Sequence, residues 1–262
     1  MEICDTDTVA GALDEARYLE GRTALVTASS RNLGASIARA LAIGGADVVV
    51  TYHQAGDTAE ALIAKLPSGN HAAVKGDTSS EDGIRAMVEA AVAAAPGAID
   101  IVINNSGPFT MDPFVDLDPS EWDRIWTANV KAAYLTSRML VPAMRGWGRI
   151  VNISAGSAYL RNHSIYTLAK DAMITFTEAL AVEVAPEVNV NCVAPGQIAE
   201  SAEDIAEFDP SFVERAIDAT PLGRLVTRGE VAGVVAELCG PHFDAVTGVT
   251  IPIDGGWRLR TF

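Results

Sequence analysis

Positive charge is what this sequence has least of. Lysine and arginine total 19 against 34 aspartates and glutamates, a formal charge of −15. Nucleic-acid binding needs a surplus of cations to displace counterions from phosphates, so that class of partner is not expected. An acidic carrier protein is disfavoured as well, because it would meet a repulsive field. Cysteine is also scarce. Cys4, Cys192 and Cys239 stand far apart, with no CxxC and no metal-ligand spacing. That count predicts a reducing, cytoplasmic setting with neither a disulfide framework nor a bound metal. No run approaches the ~18 uninterrupted apolar residues of a membrane span. Met1 to Arg22 carries six acidic side chains and no long apolar run, which argues against a signal or transit peptide.

Apolar residues are plentiful. They make up 49% of 262 residues against 20% charged, enough for a sizeable core in one α/β domain. Residues 1–20 read as an acidic extension, helical around Val9 to Tyr18, and 21–262 as the domain. Short β-branched runs alternate there with longer Ala-rich ones. Strands are expected at Thr23–Thr27, Asp47–Tyr52, Ala72–Lys75, Ile99–Asn104, Arg149–Ile153, Val188–Ala194 and Val249–Ile253. Most are apolar almost throughout, as for strands covered on both faces. Helices are expected at Ala35–Gly44, Thr58–Lys65, Glu81–Ala95, Glu121–Met144, Thr167–Val184 and Gly229–Cys239. The repeated alternation predicts a doubly wound parallel β-sheet flanked by helices. Gln197–Arg224 has no strand of its own and reads as a lid.

Ligands of such sheets bind beyond the carboxyl ends of the strands, where strand order reverses. The first strand runs into Thr27-Ala28-Ser29-Ser30-Arg31-Asn32-Leu33-Gly34, small residues that let backbone N–H groups approach a pyrophosphate. An ordinary strand-to-helix turn would look much the same. The fourth strand ends in Asn104-Asn105-Ser106-Gly107, whose amides could bond a ribose and the neighbouring backbone. Ser154 follows the fifth strand, and Tyr166 and Lys170 open the next helix. Four residues apart, the last two share a helix face and can enter one cleft. A phenol of pKa ~10 exchanges its proton poorly near neutrality. An adjacent ammonium and a cationic nicotinamide would lower that value, with the Ser154 hydroxyl orienting the substrate oxygen.

With these residues in order, the chain resembles the single-domain branch of the short-chain dehydrogenase/reductase family from about Gly21 to Trp257. The resemblance rests on the loop Thr27–Gly34, Asn104-Asn105-Ser106-Gly107, Asn129-Val130, Ser154 with Tyr166-Thr167-Leu168-Ala169-Lys170, and Pro195-Gly196. It implies a Rossmann-type fold and Tyr166 as general acid in reduction and base in oxidation. Lys170 would tune the tyrosine and hold the nicotinamide ribose, and Ser154 would orient the carbonyl. Asn129 would hold a water linking Lys170 to solvent. Asp77 would meet the adenine, although it could equally be a capping carboxylate, and Thr78 beside it would also contact the dinucleotide. Further dinucleotide contacts are expected from Thr27, Ser29, Ser30, Arg31, Asn32 and Leu33. Others would come from Tyr52 and His53, from Asn105, Ser106 and Gly107, and from Pro195, Gly196 and Ile198.

The family's loop reads TGxxxGxG, and Ala28 and Asn32 replace its first two glycines. Glu200 stands where the family often has a threonine. The second strand ends Thr51-Tyr52-His53-Gln54 without a carboxylate, and Arg31 offers a cation to a 2′-phosphate, so NADP(H) is expected rather than NAD(H). Phe109, Tyr159, Leu160, Ile198, Phe208, Phe212 and Leu222 suggest an apolar pocket for a bulky ketone, polyketide-like or polycyclic. The Ala-rich helices suit a homotetramer or homodimer. Two other readings stay open: a 3-oxoacyl-carrier-protein reductase, and a catalytically inactive dinucleotide-sensing regulator.

Overall fold

Seven parallel strands form one sheet in the order β3-β2-β1-β4-β5-β6-β7. The computed structural model describes residues 17–259, apart from 111, 145, 160–163 and 207–208. The strands are β1 Thr23–Val26, β2 Asp47–Tyr52, β3 Ala72–Lys75, β4 Ile101–Asn104, β5 Gly148–Ile153, β6 Val188–Pro195 and β7 Thr250–Ile253. Each lies within a few residues of its expected place. Their apolar character follows from packing on both faces. In β1, Ala24 and Val26 join a core with Ile37 and Leu41 of α1 (Asn32–Ile43) and Val231 and Val235 of the last long helix. Leu25 between them faces the opposite core, beside Met87, Leu140 and Ala181. Period-two side chains thus feed two hydrophobic layers from one strand.

The remaining helices are α2 Gly56–Ile63, α3 Glu81–Ala94, α4 Pro119–Trp126, α5 Ala132–Leu140, α6 Ile165–Val184, α7 Ala199–Ala206, α8 Phe212–Asp218 and α9 Arg228–Leu238. Two expectations are corrected. The helix read as continuous over Glu121–Met144 is interrupted by a π turn at Thr127–Lys131 and ends in a 3₁₀ turn at Val141–Ala143. The span Gln197–Arg224, read as irregular, contains α7 and α8, which close a small core of Ala202, Ala216 and Leu225. Short helices of eight and seven residues carry too few periodic apolar positions to stand out in sequence.

Leu19 is fully buried and bonds Gly44 O through its N–H at 2.7 Å, so the core draws on the stretch read as an extension. Residues 1–16, including most of the helix expected at Val9–Tyr18, lie outside the described residues. No described helix is long and apolar enough to cross a membrane. Strand order reverses between β1 and β4, which places the chains leaving both strands over one crevice.

Candidate active site

The two loops at this crevice are tied to each other. The Thr27 hydroxyl accepts from the N–H groups of Asn105 and Ser106, both at 2.9 Å. The Asn105 amide donates back to Thr27 O at 3.0 Å and Ala28 O at 3.2 Å. Ser29 donates to Val26 O at 2.6 Å and accepts the Thr51 N–H at 3.0 Å. The side chains of Thr27 and Ser29 therefore shape the loop from inside, leaving backbone groups, exposed Arg31 and Asn32, and Leu33 for a ligand. Ala28 and Asn32, the two glycine replacements, both adopt left-handed backbone, with φ of 50° and 52°. The turn keeps the shape that glycine would allow, Asn32 at modest strain and Ala28 at more. Gly34 is needed for closeness: a Cβ there would lie 2.6 Å from Ala28 O and 2.7 Å from Ser29 Cα. Arg31 at the start of α1 makes no capping bond, and no acidic residue occupies the first turn. Those N–H groups and the positive end of the helix favour an anion.

Ser154, Tyr166 and Lys170 line one cleft with Leu33, Asn105, Gly107, Ile153, Ala155, Pro195, Gly196 and Ile198. Helix α6 begins slightly earlier than expected, at Ile165, because Ser164 caps it by accepting the Thr167 N–H at 3.2 Å. Tyr166 and Lys170 thereby face the end of β5. The Lys170 ammonium donates to Ile153 O at 2.9 Å, and the Ser154 hydroxyl donates to Lys170 O at 2.7 Å. Lys170 Nζ stands 5.6 Å from the Tyr166 ring centroid. Burial lowers Lys170 to about 8, which the neighbouring Cys192 opposes. Burial also raises the Tyr166 phenol to about 12. The expected lowering invoked a cationic nicotinamide beside the phenol; in the protein alone, desolvation of the phenolate raises the value.

Asn129 sits on the π turn, 2% exposed, with its amide donating to Ile125 O at 2.9 Å and Pro108 O at 3.1 Å. Its Oδ1 is buried and takes no hydrogen bond from the described residues. It stands directly behind Gly107, where a Cβ would come 2.0 Å from that oxygen. Asn104 points inward instead, bonding Asn152 at 2.8 Å, so only Asn105 and Gly107 of its motif line the cleft.

Tyr52 and His53 line a second groove with Gln54, Asp57 and Lys75. Lys75 was not singled out in the sequence; its parallel register with Tyr52 is the signal that places it there. Asp77 Oδ2 lies 3.9 Å from His53 Nε2, and its Oδ1 accepts the Ser79 N–H at 2.8 Å. Hydrogen bonding from Ser79 holds this carboxylate below its usual range. Ser80, not Asp77, caps α3. Thr78 follows at intermediate exposure.

The expected apolar lining divides. Ile198 reaches the cleft, and Phe109 packs edge-to-face on Tyr166 with centroids 5.3 Å apart. Phe212 packs within the lid's own core, while Leu222 and Tyr159 are exposed. Leu160 and Phe208 lie outside the described residues. Glu200 accepts the Arg228 N–H at 3.1 Å, tying α7 to the start of α9.

Residues 27–258 match a family model described as Enoyl-(Acyl carrier protein) reductase. The chain is 35% identical to a tropinone reductase homolog of Arabidopsis thaliana over 95% of this chain and 97% of that one. A short-chain dehydrogenase/reductase from Serratia marcescens superposes with a TM-score of 0.85 at 31% identity, covering 92% and 99% of the two chains. A gluconate 5-dehydrogenase from Burkholderia cenocepacia, solved with NADP and tartrate, also gives 0.85, at 26% identity and 94% and 99% coverage. The seven-stranded parallel sheet and these matches make the chain a member of the short-chain dehydrogenase/reductase family of oxidoreductases.

Proposed function

We propose that this enzyme reduces a bulky, largely apolar ketone to a secondary alcohol with NADPH, reversibly, Tyr166 transferring the proton. The observation carrying this reading is the convergence of Ser154, Tyr166 and Lys170 on one cleft at the strand-order reversal. The residues present fit a dinucleotide. The start of α1 has uncapped N–H groups. Gly107 and Gly196 present bare backbone to the cleft, and a Cβ on Gly196 would collide with Asp254 at 2.7 Å. When bound, the reduced nicotinamide supplies the hydride.

Ser154 would turn its hydroxyl from Lys170 O to the ketone oxygen. Tyr166, raised to about 12, holds its proton at neutral pH, the form an acid catalyst of reduction needs. Lys170 supports the phenolate as that proton leaves, and the Asn129 oxygen is positioned to hold a water that resupplies it. The absence of a carboxylate on Tyr52-His53-Gln54, with exposed Lys75 in the same groove and exposed Arg31 at the start of α1, supports NADPH over NADH. Phe109 against Tyr166 supports an apolar or aromatic substrate.

A ketone panel followed by loss of reduced-dinucleotide absorbance tests the proposal. NADPH should serve better than NADH, Arg31→Ala should raise the NADPH KM, and Tyr166→Phe should lower kcat about 10²–10⁴-fold. Turnover confined to small polar sugars would overturn the substrate class. The matched family description keeps a carrier-bound acyl substrate as the second reading. A salt-sensitive complex with an acyl carrier protein would establish it. A homotetramer or homodimer in the cytoplasm completes the proposal.

A further inference from the structure

The π turn raises a question of hydrogen-bond supply. Ala132 N–H donates to Thr127 O, one residue further back than an α-helix would use. Ala128 O is thereby deprived of its ordinary helical donor. Its replacement comes from outside the helix: the Ser106 hydroxyl donates to it at 3.1 Å. Ser106 is 6% exposed, and its own N–H is held by Thr27 at 2.9 Å. The serine is therefore anchored to the loop after β1, and its hydroxyl is delivered to the helix residue next to Asn129.

We propose that Ser106 is a positioning residue that stabilises the π turn through Ala128 O and so holds Asn129 in place behind the cleft. The sequence suggested a dinucleotide contact for this serine, but its hydroxyl is directed to the helix. Three further observations agree. Asn129 bridges the turn to Pro108 O two residues beyond Ser106. Gly107 lies so close to Asn129 Oδ1 that a small shift of either changes the fit. A further tie from the turn, Lys131 to Glu81 at 2.8 Å, joins two side chains each 42% exposed. Exposed ion pairs hold geometry weakly, whereas a buried carbonyl left without a donor strongly favours a return to regular helix.

This inference rests on the reductase reading for its kinetic consequence, but not for its structural one. The test is Ser106→Ala, alone and combined with Asn129→Ala, with a crystal structure of the single variant. Without the hydroxyl, Ala132 N–H should return to Ala128 O, or the Asn129 amide should leave Pro108 O. The kcat of reduction should fall about 5–10-fold with the NADPH KM changed less than about twofold, the signature of lost transition-state support. In the Asn129→Ala background the same substitution should cost less than about twofold, because coupled residues are non-additive. An unchanged π turn and Asn129 amide would overturn the proposal. So would additive losses, or a raised NADPH KM at unaltered kcat. If no ketone is turned over by the unmutated enzyme, the reductase reading falls, and the crystal structure still decides the role of Ser106.

Discussion

Ala28 and Lys170 sit in environments that conflict with their own chemistry. Ala28 holds φ at 50°, where an L-residue is strained by roughly 1–2 kcal/mol. Glycine relieves that strain but loses more entropy on folding. Ala28→Gly should therefore raise stability by up to about 1 kcal/mol, seen as a higher midpoint in urea denaturation. An unchanged or lower midpoint would show that the methyl group contributes packing. Lys170 is a buried base whose value falls to about 8 from 10.5. Its charged form is disfavoured in the fold, so between about 8 and 10.5 the unfolded chain binds more protons and stability rises with pH. Below about 8 the whole penalty is present. Lys170→Met should thus be inactive yet more stable at pH 7, by on the order of 2 kcal/mol, with the gap closing toward pH 10. The same ionisation should shape activity. On the proposed role of Lys170, reduction by the unaltered enzyme should fall as pH rises through about 8, where its ammonium is lost.

At the scale of elements, the β1–α1 junction is closely packed beside the cleft. A methyl group at Gly34 would meet backbone of its own loop, 2.6 Å from Ala28 O, and the Asn105 amide at 2.8 Å. Gly34→Ala must push apart the two loops that line the crevice. It should destabilise the fold by about 1–3 kcal/mol, as overpacking does. It should also weaken NADPH binding, which thermal denaturation and a fluorescence titration would check together. The lid behaves as an element too. Its base is fixed by the Ile198–Val226 bridge and by Glu200 of α7 accepting from the start of α9, and its helices pack on each other.

For the whole molecule, the apolar residues left outside the core are informative. Tyr134, Leu168 and Val182 are 42%, 40% and 82% exposed on α5 and α6, and Val249 beside β7 is 39% exposed. These are the helices and strand whose small-residue faces suggested association, and an assembly would cover them. Sedimentation velocity at micromolar concentration should give a dimer or tetramer; a monomer throughout would refute it. The charge of −15 acts at the same scale, making the long-range field unwelcoming to acidic partners.

Much of this enzyme was legible along the chain because its signals are local. Seven apolar β-branched runs, the YxxxK spacing of Tyr166 and Lys170, and the small residues after β1 each depend only on near neighbours. Periodicity and spacing therefore located the strands and placed Tyr166 and Lys170 on one helix. What the tertiary structure alone decided depends on groups far apart in sequence. It sent the hydroxyls of Thr27, Ser29 and Ser106 inward, opened a π turn at Asn129, brought Lys75 into the groove of His53, and packed Tyr166 so that desolvation raises its phenol. Desolvation and hydrogen-bond partnership are properties of what surrounds a side chain, and for these residues the surroundings come from other strands.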